Sequence, residues 1–247
     1  MSESLLQVRI WRGGPADQDG RFVEYQVPRL ESQTVLDVVT HVQRSVDPTL
    51  SYRFACRVGM CGSCAMTVNG QARWSCRTHV SKVVDEGGVL EIAPLSNLPV
   101  VKDLATDMSG FFDKWAQARG RFQGGQTRHD DFAKVSPQSR ERQAADAGIE
   151  CIGCAVCYAS CDVVQWRPEF LGPAALNRAW TLVNDVRDTD QTERLRAVAG
   201  DNHPIALIEI GNLLRQRCKR QRIGAEVGFP FPITHHQWRA EPRADQH

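Results

Sequence analysis

Eight of the nine cysteines in this chain lie in two tight groups, and the spacing of the first group constrains the fold more than any other feature. It reads Cys56-x4-Cys61-x2-Cys64-x11-Cys76. That is the plant-type 2Fe-2S spacing, in which a wrapped loop and one more distant strand supply four thiolates. Gly59 and Gly62 let the loop turn and bring backbone N–H groups close to the sulfurs. Four cysteines can also cage zinc, but zinc cages are usually built from two C-x2-C knuckles, so the cluster reading is preferred. Nine cysteines are excessive for a reduced cytosolic protein unless they ligate something. The ninth, Cys218, stands alone.

The segments around the first group read as a small mixed fold. Gln7 to Trp11 and Phe22 to Val27 are strand-forming runs joined by a Gly/Asp-rich turn over 13–20, which predicts a hairpin. Thr34 is a candidate N-cap, and Val35, Val38, Val39, Val42 and Val46 recur at helical spacing, giving a helix one apolar face until it ends near Pro48. After the cysteine loop come the strand Ala65 to Val68, an Asn69-Gly70 turn of the kind that closes hairpins, a return strand through Trp74, and a last strand Val89 to Ile92. This order is the one expected of a ferredoxin-like β-grasp domain over residues 1–98.

The second half reads as helical. Pro99 to Ala118 is rich in helix formers behind a helix-compatible proline, and predicts a bridging helix. A polar connector, Arg119 to Val135, reads as a surface loop, after which Ser136-Pro137 opens a short helix. Cys151-x2-Cys154-x2-Cys157-x3-Cys161 then repeats the bacterial ferredoxin run, with Asp162 where a proline normally follows. In that run three cysteines hold one 4Fe-4S cubane and the fourth reaches to another cluster, which needs a second cysteine group downstream. Here a helix from Gly172 to Asn184 and an acidic turn, Asp185 to Glu193, lead through Arg194 to Pro204 into another apolar-periodic helix, and only Cys218 remains. The fourth ligand of a cubane at Cys151, Cys154 and Cys157 is then Cys161, Cys218 or a group such as His203. An open three-iron cluster, or none, is the alternative.

The resulting expectation is an α+β chain: an N-terminal β-grasp 2Fe-2S domain (1–98), a helix and connector (99–135), an α-helical ferredoxin-like domain (136–224) and an extended tail (225–247). Prolines around Phe229 and Phe231 block helix in that tail, which reads as an arm packing its aromatics, Trp238 included, on a neighbouring surface. His235 and His236 read as solvated, and the basic run Arg215 to Arg222 as a solvated helix end. With 30 basic and 29 acidic residues the formal charge is +1, which gives no reason to expect a nucleic-acid partner. No run of about 18 apolar residues and no basic-then-apolar leader is present, so the chain is expected to be soluble and cytoplasmic. It carries no GxGxxG, P-loop or GxSxG pattern, hence no substrate site of its own is expected.

Four segments together resemble the iron-sulfur subunit of succinate dehydrogenase and fumarate reductase. They are Phe54-Ala-Cys-Arg-Val-Gly-Met-Cys-Gly-Ser-Cys-Ala-Met66, Pro94-Leu-Ser-Asn-Leu-Pro-Val-Val-Lys-Asp-Leu104, Glu150-Cys-Ile-Gly-Cys-Ala-Val-Cys-Tyr-Ala-Ser-Cys161 and Phe170-Leu-Gly-Pro-Ala-Ala-Leu176. The resemblance implies docking on a flavoprotein that carries FAD and oxidises succinate or reduces fumarate. Electrons in that family pass through 2Fe-2S, 4Fe-4S and 3Fe-4S clusters toward a quinone beside membrane-anchor subunits. By this analogy Cys56, Cys61, Cys64 and Cys76 face the flavin, Cys151, Cys154 and Cys157 form the next station, and Cys161 belongs to the third.

The departures from the family pattern matter equally. Its further run of cysteines is missing as a block between the segments at Arg194 to Gly200 and His203 to Ile210, so the 3Fe-4S cluster is expected to be absent. Asp162 and Val163 replace a proline and a serine, and Gln165 replaces one of two tryptophans beside the surviving Trp166. An acid beside an apolar quinone pocket carries a desolvation cost, which puts quinone reduction at that place in doubt. The expected function is electron transfer between FAD on a partner subunit and a downstream acceptor, either a membrane-anchor subunit or another carrier, with the chain peripheral on the cytoplasmic face of the inner membrane. The alternative is a partner-binding subunit in which only the 2Fe-2S cluster is redox-active and the helical half is a structural or zinc-bound module.

Overall fold

The computed structural model describes residues 4–14 and 20–199, all within one compact unit, Met1–Pro204. Cys218, His203, His235, His236, the basic run and the tail lie outside the described residues. Strands β1 (Leu5–Arg12) and β2 (Arg21–Pro28) pair antiparallel from Leu5↔Pro28 to Arg12↔Arg21, as the two strand-forming runs predict. Alternation along β1 sends Leu6, Val8 and Ile10 inward and leaves Leu5 and Gln7 exposed.

Helix α1 (Val35–His41) opens on a capping box: Thr34 Oγ1 accepts from the Asp37 N–H, and the Asp37 carboxylate accepts from the Thr34 N–H. Val35, Val38, Val39 and Val42 are buried in one core with Leu6, Val8, Ile10, Tyr25 and Val27. Val46, expected on the same face, is 50% exposed. The reason is a change of period, because Val42–Val46 is a π-helical turn in which the Asp47 N–H reaches back five residues to the Val42 carbonyl at 2.7 Å. The wider turn rotates Val46 off the apolar stripe.

Strands β3 (Ala65–Val68) and β4 (Gln71–Trp74) form the second hairpin across Asn69 (φ +46°) and Gly70 (φ +76°), the paired left-handed conformation that Asn-Gly adopts readily. With β5 (Val89–Ala93) they complete a five-stranded mixed sheet of order β2-β1-β5-β3-β4, in which β1 and β5 run parallel. Leu90 and Ile92 of β5 join the core beneath α1.

The bridging helix expected from Pro99 begins ten residues later. A small hairpin, β6 (Val100–Lys102) and β7 (Ala105–Thr106), comes first, and α2 (Ser109–Gln117) follows it. Helix is blocked at Asp103, whose φ of +50° turns the chain and whose carboxylate is tied to distant donors. It accepts from Arg12 Nε at 3.0 Å, from the Gly13 N–H at 3.2 Å and from the Ser51 N–H at 2.9 Å. Arg12 continues the network to Tyr25, Asp47 and Thr49. Burial disfavours the Arg12 charge, yet its bonds to Asp103, Tyr25 and Asp47 outweigh that and hold its pKa above the ordinary guanidinium value.

The remaining elements are helical. Residues 121–138 are exposed throughout, and α3 (Arg140–Ile149) starts after them, capped by Ser139 rather than Ser136. Then come α4 (Val156–Ala159), α5 (Asp162–Trp166), α6 (Pro173–Val183) behind Gly172, and α7 (Gln191–Ala199). Helix α7 begins inside the expected acidic turn because Arg194 turns inward. Its guanidinium bonds both oxygens of Asp188, at 2.9 and 2.7 Å, with both side chains fully buried.

Replacing Asp103 by Ala takes one of two carboxylate partners from the mostly buried Arg12 and removes the acceptor of the Gly13 and Ser51 amides, and should cost about 3 kcal/mol in a urea titration. Arg196→Ala, which removes an exposed partner of Glu193, should cost no more than about 0.5 kcal/mol in the same assay. Hydrogen bonds from Thr49, then Arg12 and Tyr25, hold the Asp47 carboxyl below the usual carboxylate range. Its contribution is therefore complete above the unfolded pKa, about 3.9, and is lost as pH falls through the lower folded value. Acid titration of Asp47→Asn should show a shallower loss of stability below that pH than the unaltered chain.

Candidate metal centres

The first cysteine loop runs irregularly between the π-helical turn and β3. Three residues in it, Arg57 (φ +61°), Gly59 (φ +76°) and Gly62 (φ +71°), adopt left-handed backbone conformations. These turns aim backbone N–H groups at the sulfurs. Cys56 Sγ accepts from the amides of Met60 at 3.2 Å, Cys61 at 3.3 Å and Val58 at 3.4 Å, while the Cys56 amide donates to Cys61 Sγ at 3.5 Å. The other two cysteines are joined through Ser75, whose N–H and Oγ both donate to the Cys64 carbonyl, at 3.2 and 2.8 Å. Cys76 follows on a single 3-10 turn, Ser75–Arg77, next to Cys64.

The thiols fall into two neighbouring pairs, Cys56 with Cys61 and Cys64 with Cys76. The Cys56 amide, then the hydroxyl and amide of Ser63, push the Cys61 thiol down to about 6. Burial, then the neighbouring Cys64, pushes the Cys76 thiol up to about 11. Cys61 is therefore ready to ligate as thiolate at neutral pH, whereas Cys76 ionises only when a cation compensates it. Two thiols per iron, N–H donors on the sulfurs and left-handed turns at Gly59 and Gly62 that glycine adopts without strain fit a 2Fe-2S cluster.

In the second group, Gly153 (φ +66°) and Ala155 (φ +60°) reverse the chain before α4. A left-handed alanine costs about 1–2 kcal/mol, so the surroundings impose this turn. Burial, then the charges of Cys154 and Cys151, pushes the Cys157 thiol up to about 12. Cys157 nevertheless keeps accessible surface, as does a thiol lining a recess. Cys151 and Cys154 thus both neighbour Cys157, whereas Cys161 stands at the N-cap position of α5, and its charge acts on Tyr158. Among the described residues no three His, Cys, Asp or Glu gather closely enough to hold a single metal ion. A cluster spreads its ligands over several irons, where a lone ion draws them to one point.

Asn97, which the sequence alone does not single out, fixes this group from the sheet side. With φ +63° it turns its amide so that Nδ2 donates to the carbonyls of Tyr158 at 3.0 Å, Cys161 at 3.1 Å and Ala159 at 3.3 Å. Nothing local to a Ser-Asn-Leu-Pro loop points to acceptors some 60 residues away. The two cysteine loops also touch. A Cβ built on Gly62 would lie 2.7 Å from Cys154 Cβ and 2.9 Å from its Cα, closer than real atoms approach.

The comparisons with known proteins bear on this geometry. Residues 7–113 match the model of the 2Fe-2S iron-sulfur cluster binding domain family. The fumarate reductase iron-sulfur subunit of Haemophilus influenzae is 33% identical over 210 residues, covering 80% of each chain. That of Mycobacterium tuberculosis is 33% identical over 194 residues, covering 77% of this chain and 76% of its own. The chain belongs to the iron-sulfur subunit family of fumarate reductase and succinate dehydrogenase. A chain of the Mycobacterium smegmatis Sdh1 complex in the apo form superposes with a TM-score of 0.69 at 25% identity, covering 94% of this chain and all of that one. Within this family member, Asp162 occupies the first turn of α5, and Trp166 is 75% exposed.

Gly62→Ala and Gly70→Ala both force alanine into a left-handed backbone, at φ +71° and +76°, but only Gly62 has Cys154 in the way, since nothing lies within 4 Å of Gly70. Iron per chain after reconstitution should therefore fall in Gly62→Ala and stay at the unaltered level in Gly70→Ala.

Proposed function

We propose that this chain is the electron-transfer subunit of a succinate dehydrogenase or fumarate reductase-like complex, carrying single electrons between FAD on a partner flavoprotein and a downstream acceptor. In this reading Cys56, Cys61, Cys64 and Cys76 hold the 2Fe-2S cluster on a β-grasp domain (1–98). Cys151, Cys154 and Cys157 hold a 4Fe-4S cluster on an α-helical ferredoxin-like domain (136–224) reached through the segment 99–135. Its fourth ligand is Cys161 or Cys218, and there is no 3Fe-4S cluster. The clusters supply one-electron acceptance and release, which a two-electron flavin needs in order to discharge to a one-electron chain.

The observation that carries the reading is the contact of Gly62 with Cys154, because ligand loops that lie side by side bring two stations within reach of electron transfer. The chain's residues do the rest. The amides on Cys56 and Cys61 stabilise thiolate charge, Asn97 holds the end of α4, and Gly59 and Gly62 let protein backbone close on the sulfurs. Around the first loop Val58 and Met60 are 59% and 69% exposed, and Arg57 lies over the Phe54 ring at 4.8 Å. An apolar lip of this kind suits docking on a flavoprotein surface. No helix among the described residues is long and apolar enough to cross a membrane. Attachment to a membrane, on the cytoplasmic face of the inner membrane, would then run through a membrane-anchor or other acceptor subunit.

Iron and acid-labile sulfide should come to about six per chain, with EPR of a reduced 2Fe-2S and a reduced 4Fe-4S centre and no oxidised 3Fe-4S signal. Cys151→Ala should lower iron to about two while leaving the 2Fe-2S signal in place. Zinc in the second site, or purification from the native cells without a flavoprotein, would overturn the assignment.

A further inference from the structure

Trp74 ends β4 and packs against the small cluster formed by Leu36, Cys64 and Cys76. Its indole nitrogen Nε1 is buried and has no hydrogen-bond partner. A buried N–H without an acceptor is costly and rare in folded proteins, so its presence beside two candidate ligands calls for an acceptor there. We propose that the Trp74 indole N–H donates a hydrogen bond to a sulfur of the 2Fe-2S cluster on its Cys64–Cys76 side, raising the cluster's reduction potential. The inference rests on the assignment of that cluster to Cys56, Cys61, Cys64 and Cys76.

The distribution of donors supports it. Cys56 Sγ takes three backbone N–H groups, and Cys61 takes the Cys56 amide together with the hydroxyl and amide of Ser63. On the other side the Gly59 amide reaches Cys76, and the apolar neighbours, Leu36 and Tyr52, bring no free donor. The Tyr52 hydroxyl is already committed to Thr40 Oγ1 at 3.2 Å. Arg73 also buries an unpartnered Nε, but consecutive strand residues point to opposite faces of the sheet, which sends it away from the face Trp74 occupies. The indole is held in place by strand pairing of Trp74 with Ala65 and by the Thr78 hydroxyl, which donates to the Trp74 carbonyl at 2.9 Å. An N–H···S bond favours the more negative, reduced state of a cluster, which is the physical route to a higher potential.

The test uses the full-length chain with its clusters loaded. Trp74→Phe keeps an aromatic ring and removes the N–H. An EPR-monitored redox titration should show reduction of the 2Fe-2S centre disfavoured about tenfold, a shift of about 59 mV to lower potential for one electron. Trp115→Phe is the control, because it also removes a buried, unpartnered indole N–H, but from a ring whose carbons face the second loop, 3.9 Å from where a Cβ on Gly153 would stand. It should leave the 2Fe-2S potential unchanged. In the unaltered chain, [15N]indole-labelled tryptophan should give a nitrogen coupling to the reduced 2Fe-2S spin, with an exchangeable proton, by pulsed EPR. Both should persist in Trp115→Phe. If Trp74→Phe fails to load a cluster, this measurement on the unaltered chain decides alone. A 2Fe-2S signal without the nitrogen coupling, or an unchanged potential in Trp74→Phe, overturns the role of Trp74. The lack of any 2Fe-2S signal in the unaltered chain overturns the cluster assignment together with it.

Discussion

The close approach of Gly62 to Cys154 is the constraint on which the arrangement of both cysteine groups depends. Backbone of the first loop comes within reach of the second only because position 62 has no side chain, and its φ of +71° is one that glycine alone takes without strain. The five-stranded sheet holds the first through β3 and β4, and Asn97, leaving that sheet after β5, holds the second by three carbonyls. The sheet and the helices therefore act as one frame around a pair of sites, which is what passing an electron between neighbouring stations requires.

Charge at these sites is managed unevenly. A cluster bound by thiolates is anionic, and a protein interior tolerates that only where donors or cations offset it. Around Cys56 and Cys61 the offset comes from the loop's own amides and the Ser63 hydroxyl, which is why Cys61 falls to about 6 while Cys76, buried beside Cys64, rises to about 11. Such asymmetry comes from backbone direction and burial, not from any charged side chain. The near-neutral composition of the chain gave no warning of it.

Much of this was legible in the sequence where a local rule governs. Strand-forming runs give β1 and β5, Thr34 as a candidate N-cap gives the start of α1, Asn69-Gly70 gives the second hairpin, and the helical stretch from Gly172 gives α6. What escaped depends on particular contacts, distant or local, that no sequence pattern marks. Helix propensity after Pro99 loses to a hairpin because Asp103 answers to Arg12 and Ser51. Val46 leaves its stripe because one turn widens to a five-residue bond. Arg194 reads as the start of a connecting stretch after the acidic turn, yet lies fully buried on Asp188. In the sites the cysteine spacings were visible at once. The residues that hold them, Asn97 above all, carry no mark of their partners in their own neighbourhood.

The central claim is that the two cysteine groups are adjacent redox stations rather than one redox site beside a structural module. Magnetic interaction between them tests it most directly, through the microwave-power saturation of the reduced 2Fe-2S signal followed as the potential is lowered. Reduction of a neighbouring paramagnetic 4Fe-4S centre should speed relaxation of the 2Fe-2S spin, so that its signal becomes harder to saturate, and the effect should vanish in Cys151→Ala. Saturation behaviour that stays the same across the whole titration, and matches that of Cys151→Ala, would contradict the account.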